Sequence, residues 1–136
     1  MNLVQFFKLY LIAVPVFFAI DLIWLGLVAQ GFYQSQIGSL MRESVRWVPA
    51  VIFYLLFVAG IILFAVWPGI ENSSILKTLA LGAALGFLAY ATYDLTNLAT
   101  LKDWPVKIVV VDIIWGSVLS GGVSAITYYI YQLLSG

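Results

Sequence analysis

Apolar residues gather into four long runs, at residues 9–28, 48–66, 76–98 and 106–133. The stretches between them, 31–46, 67–77 and 101–107, carry most of the charged side chains. A helix rises about 1.5 Å per residue, so about 20 apolar residues cross the roughly 30 Å hydrocarbon core of a bilayer. All four runs are of that length. In hydrocarbon every backbone N–H and C=O must be bonded within the protein, which leaves helices and closed barrels; the two-residue alternation of a barrel is missing. The pattern predicts an all-α integral membrane protein, one four-helix bundle over residues 1–136 running up-down-up-down. The first run begins near Met1 as a secretory signal would. It is longer than a signal's apolar stretch and no small-residue cleavage pattern follows, so it is read as a span.

Trp and Tyr favour the headgroup level. On the up-down path, Trp47 and Trp104 fall at one face, and Tyr10, Trp67, Tyr128, Tyr129 and Tyr131 near the other. The loops after the first and third runs hold Arg42, Arg46, Lys102 and Lys107, against Lys8 and Lys77 opposite. The positive-inside rule then places those loops in the cytoplasm and both termini outside, with Lys8 arguing the other way. In the first loop Ile37, Leu40, Met41 and Val45 recur at helical spacing, with Arg42, Glu43 and Arg46 on the remaining side. That spacing suits a short amphipathic helix lying in the interface, or a plain turn that holds apolar residues.

Composition narrows the chemistry. Hydrophobic residues make up 64% of the chain and charged residues 9%, where a soluble domain is roughly 25% charged; mean hydropathy is +1.09. With no Cys and no His, disulfides, thiol chemistry, Cys/His zinc sites, imidazole acid–base work and His-ligated haem are excluded. Zero net charge leaves no polybasic footprint for nucleic acid. There is no phosphate loop, nucleophile elbow or cofactor fingerprint, and no cofactor is expected.

Small residues mark helix contacts, since lipid gives no hydrophobic drive between spans. Gly82 and Gly86 lie four apart, flanked by Ala80, Ala83 and Ala84; the fourth run has Gly116, Ser120 and Ser124 in one row and Ser117, Gly121 and Ala125 in another. These rows serve either the bundle itself or a homodimer seam. Pro15 removes a backbone hydrogen bond within the first helix and predicts a kink before Asp21.

Three carboxylates do not belong in hydrocarbon: Asp21, Asp94 and Asp112. Each costs about 2.5–3.5 kcal/mol at a helix centre, so each needs a partner or a purpose. Counted from the ends of their runs, they lie roughly 13, 12 and 10 Å deep, all in the leaflet nearer the first and third loops. Other polar groups reach the same level. Tyr90, Asp94 and Asn97 share one helix face, Thr92, Thr96 and Thr100 another, and Tyr54 lies two turns into the second span. Trp24 follows Asp21 by three residues and Trp115 follows Asp112 by three, so Asp-Leu-Ile-Trp on the first helix is matched by Asp-Ile-Ile-Trp on the antiparallel fourth, an inverted-repeat relation or a coincidence of four residues. The expected site is a polar pocket of Asp21, Asp94, Asp112, Tyr54, Tyr90, Asn97, Trp24 and Trp115.

Carboxylates crowded together cannot all be charged, so such a cluster holds a proton. It suits a proton- or cation-linked ligand pathway, an enzyme using an Asp pair as general acid and base, or interhelical glue. Tyr93–Asp94 resembles half of the intramembrane aspartyl protease motif, but Val110 and Val111 precede Asp112 where that motif needs Gly-x-Gly. A bundle this small offers too few further oxygens for Mg²⁺ or Ca²⁺, and no metal is expected.

The stretches Asp21 to Gly26, Phe32-Tyr33 with Ile37-Gly38, Tyr90 to Leu101 with Trp104-Pro105, and Asp112 to Gly116 together resemble an uncharacterised family of small four-helix bacterial membrane proteins, a domain of unknown function. The resemblance runs over nearly the whole chain, with Tyr-Asp-Leu-Thr-Asn its most specific part. It implies a bacterial inner-membrane location and a lipid or hydrophobic ligand, and lends no catalytic roles. The sequence thus points first to a membrane protein that binds or moves a small or lipid-like ligand, as a homo-oligomer if it transports. A lipid-modifying enzyme or its subunit and a structural or assembly subunit stand as the alternatives.

Overall fold

A computed structural model describes residues Met1–Gly136. Four helices, each long and apolar enough to cross a membrane, make up almost all of it: α1 (Leu3–Leu40), α2 (Trp47–Glu71), α3 (Ile75–Thr100) and α4 (Val106–Ser135). Each extends beyond the apolar run that announces it. Local sequence explains their starts. Asn2 Oδ1 accepts from the Gln5 amide at 2.8 Å and the Asn2 amide donates back to Gln5 Oε1 at 2.9 Å, a reciprocal cap. Ser74 Oγ accepts from the Lys77 amide at 3.1 Å and starts α3. Pro105, extended at φ −73° and ψ 133°, precedes α4.

α1 and α2 each contain a π-helical turn, Leu25–Ala29 in α1 and Ile62–Val66 in α2. After its π turn α1 resumes over Gln30–Ile37 and closes on a 3-10 turn, Gly38–Leu40. The helical part of the first loop is therefore Gln30–Ile37, continuous with the first span. Met41 and Val45 lie outside it in a non-helical connection, so the separate interfacial helix expected from Ile37, Leu40, Met41 and Val45 is replaced by a prolonged α1. Trp104 also differs from expectation. It is 7% exposed beneath Phe32, Tyr33 and Ile37 of that prolongation, whereas Trp47 is open to the surroundings.

Buried positions trace rows four residues apart, the spacing that stacks side chains along one helix face. On α1 the row is Leu9, Ala13, Phe17 and Asp21; on α4 it is Ile108, Asp112, Gly116, Ser120 and Ser124. On α3 it runs Thr78, Gly82, Gly86, then half-buried Tyr90, then Asp94. Each of the three aspartates thus continues the stripe that faces the bundle. The apolar core, Leu9 to Phe17 of α1 with Phe57 to Val66 of α2 and Leu119 and Val123 of α4, fills the other half of the bundle.

α3 and α4 form the most extensive interface. A Cβ on Gly86 would lie 2.7 Å from the Gly116 carbonyl carbon and from Ser120 Cβ, and one on Gly82 would lie 2.7 Å from Ser124 Cβ. The small-residue rows are used within the bundle, including Gly121 against Ala83 and Leu79. α4 also packs against α1. α2 meets α3 closely only along its last half, from Ile62 to Glu71; Trp47–Ile61 splays away. At the end of the bundle that holds the aspartates, α2 and α3 are parted.

Candidate functional site

The matching tetrapeptides meet face to face. Trp24 and Trp115 stack with centroids 4.3 Å apart and planes 7° from parallel, and Trp115 Nε1 donates to Asp21 Oδ1 at 3.4 Å. Each Asp-x-x-Trp puts its indole one turn from its carboxylate. Antiparallel packing of α1 on α4 therefore lays one indole over the other and aims that of α4 at the acid of α1. Asp112, the counterpart of Asp21, accepts from the hydroxyl of Tyr33.

Tyr33 was not singled out in the sequence as a site residue, and the π turn explains why. Twelve residues separate it from Asp21, which at about 100° per residue places it roughly 120° away around a regular helix. The extra residue of a π turn removes one such step and brings Tyr33 to within roughly 20° of the Asp21 row. No residue type in Leu25–Ala29 announces that turn. The Phe32-Tyr33 pair in the family-like stretches was the one signal available.

The three aspartates are buried, Asp94 completely and Asp21 and Asp112 at 6% and 8% exposure. They form a chain of neighbours rather than a common cage: Asp112 sits between, adjacent to Asp21 on one side and to Asp94 on the other. No three acidic side chains gather closely enough to share one ion. Asp21 also faces Tyr54. Asp94 differs from the other two in that no hydroxyl, indole or amide donates to either carboxyl oxygen; the group it meets is the Asp112 carboxyl, which it can bond only through a shared proton. Tyr90 lies among all of them, its ring packed so closely on Gly116 that a Cβ there would collide with it.

A cavity of about 420 Å³ opens between the parted helices, lined by Ala50, Phe53 and Tyr54 of α2, Ala89, Tyr90 and Tyr93 of α3, and Asp112 of α4. Phe53 and Tyr93 are 48% and 56% exposed on its rim, and the Asp112 residue on its wall is 8% exposed. Tyr93 also contacts the buried Trp104 edge-on, with centroids 5.9 Å apart. Phe53 and Tyr93 read in sequence as lipid-facing aromatics; nothing in their spacing distinguishes a rim from an open surface.

Of the expected site residues, Asp21, Asp112, Trp24, Trp115, Tyr54 and Tyr90 come together, with Asp94 behind them. Asn97 does not join. It is half-buried beside Tyr93 and does not line the cavity. The Thr92, Thr96 and Thr100 row is exposed, its hydroxyls donating to the carbonyls of Leu88, Thr92 and Thr96 in their own helix.

No curated protein and no solved structure is measurably similar to the chain. One family does match, over residues 6–129, and its description is "Predicted membrane protein (DUF2177)". That range takes in all four helices and every residue of the aspartate cluster, and the chain belongs to the DUF2177 family of membrane proteins.

Proposed function

We propose that this small multi-pass protein of the bacterial inner membrane binds a small or lipid-like ligand in the α2–α3 cavity. The ligand enters sideways from the bilayer, and the aspartates exchange protons as it comes and goes. The observation that carries this reading is the cavity itself: apolar at its rim, aromatic along its walls and closed by one buried carboxylate, Asp112. Ligand sites are commonly of this kind, largely apolar with one or two placed polar groups. Asp94 and Asp112, side by side, are the leading proton-exchanging groups, with Asp21 third. Transport across the bilayer would need more than four helices to enclose a route, so that version of the reading calls for a homo-oligomer.

A second reading rests on the same neighbours. Asp94 and Asp112 side by side, with Asp112 on a lipid-accessible wall, are also placed as an acid–base pair for a lipid-modifying enzyme or its subunit. A structural or assembly role is the third reading, with a proton shared between Asp94 and Asp112 tying α3 to α4.

The test is to purify the wild type, Ala89→Trp and Asp112→Asn from the same membranes and identify the small molecules and lipids that remain bound. Ala89 lines the cavity, and an indole there fills it. A species retained by the wild type and lost from both variants, with melting temperatures preserved, is the expected result. An identical bound complement in all three would refute the proposal. A lipid whose covalent structure changes only with wild-type protein would favour the enzyme.

A further inference from the structure

Resting on the cavity reading above, we propose that the ligand is an amphiphile with an alkylammonium head, seated between the Asp112 carboxylate and the faces of Tyr54, Tyr90 and Tyr93, its tail passing out between Phe53 and Tyr93 into the bilayer.

Charge is the first argument. The interior holds three buried carboxylates, while all six Lys and Arg side chains of the protein are exposed. No internal cation serves the cluster. Tyr33 satisfies Asp112 on one side and Trp115 satisfies Asp21, but Asp94 is fully buried next to Asp112 with both oxygens unpartnered. An anionic head in this cavity would face Asp112 with nothing to neutralise either charge. A sugar or polyol would find one carboxylate and three tyrosine hydroxyls, Tyr54, Tyr90 and Tyr93, among otherwise apolar side chains, fewer partners than its own hydroxyls need. An ammonium needs few directional partners. It binds to aromatic rings through the ring quadrupole and to a carboxylate through charge, and three tyrosines and one carboxylate line the cavity.

Shape is the second argument. A volume of about 420 Å³ accepts an ammonium carrying a few carbons, and the rim residues are apolar and exposed, so a longer chain continues outward without leaving hydrocarbon. The chemistry is shared by two sources, the ethanolamine-type head of a membrane lipid and a free amphiphilic amine.

The full chain in maltoside micelles, free of amine lipids, would be titrated with octyltrimethylammonium, octyl sulfate and octanol, following intrinsic fluorescence. Octyltrimethylammonium should bind at least about tenfold more tightly than either of the others, a preference set by charge and cation–π contact. Asp112→Asn should reduce the preference to about threefold or less, the remainder coming from the rings. Because Asp112 is also tied to Tyr33, a loss of the folding transition in that variant passes the decision to Tyr93→Leu, a head-contacting ring at the exposed rim. Tyr93→Leu should weaken ammonium binding about fivefold and octanol binding less. In nanodiscs of mixed phosphatidylethanolamine and phosphatidylglycerol, retention of phosphatidylethanolamine identifies the lipid as the source. Binding of octyltrimethylammonium with neither lipid retained identifies a free amine.

Equal affinity for the three probes, all lost in Ala89→Trp, would overturn the ammonium assignment and leave the cavity reading standing. Preference for octyl sulfate or retention of phosphatidylglycerol would overturn it as well. No binding of any probe to the wild type would overturn both.

Discussion

Asp94→Ala should leave the protein at least as stable as the wild type while abolishing its function. The carboxyl is fully buried and neither oxygen has a hydrogen-bond partner. A buried polar group in that condition costs about 1–3 kcal/mol, which the substitution recovers. The space it leaves costs about 1 kcal/mol, and the loss of a carboxylate beside Asp112 removes a repulsion, so the net change lies between about 0 and +2 kcal/mol. An interhelical tie predicts the opposite sign. Hydrogen bonds between membrane helices contribute about 0.6–2 kcal/mol, and losing one along with the packed volume would destabilise by about 2–3 kcal/mol. Reversible unfolding in mixed detergent–SDS micelles, followed by tryptophan fluorescence, separates the two. Asp94→Asn, close in volume, controls for the space. A loss of about 2 kcal/mol or more in Asp94→Ala would refute the reasoning that a cost is borne at this position for a reason other than folding.

The same titration checks three further expectations. Gly86→Ala places a Cβ against the Gly116 backbone and Ser120 and should cost about 1–3 kcal/mol because α3 and α4 must separate, whereas Gly122→Ala meets open space and should be neutral or gain up to about 1 kcal/mol from helix propensity. Tyr33→Phe removes the hydrogen bond to Asp112 and should cost about 1.5–3 kcal/mol if that carboxyl is charged; deleting Leu27 to make the π turn regular should cost as much, and combining the two should add nothing. Alanine substitution of Trp24 and Trp115 singly and together should reveal a coupling of about 0.5–1.5 kcal/mol from the stack; additive effects would argue against it.

Much of the architecture was legible because bilayer chemistry is restrictive. Apolar length announced four spans, and the cost of burying acids singled out Asp21, Asp94 and Asp112 before any packing was known. The two Asp-x-x-Trp segments stood in the sequence only as an inverted repeat or a coincidence; their contact follows because equal spacing on antiparallel helices brings equal groups together. The parts that stayed hidden depend on register and on neighbours. Tyr33 enters the cluster through an extra residue in the helical turn before it, and Leu25–Ala29 is as apolar as any other span segment. Trp104 carries the residue type of an interfacial anchor, yet it is buried because α1 continues over it. Asn97 follows Asp94 by less than a turn and still falls to the other side, against Tyr93. The glycine and serine rows showed that two helices would touch, but only coordinates decide that both belong to one chain.

The parting of α2 from α3 has a consequence for how occupancy is set if the cavity opens to lipid as proposed. A fissure rimmed by Phe53 and Tyr93 in fluid hydrocarbon would never stand vacant, because a neighbouring lipid tail fills whatever volume is left. A ligand of the kind proposed must therefore displace solvent that is itself hydrophobic and present at very high local concentration. Apparent affinity is then a difference between two occupants, and it will follow the unsaturation and thickness of the host membrane as closely as it follows the side chains.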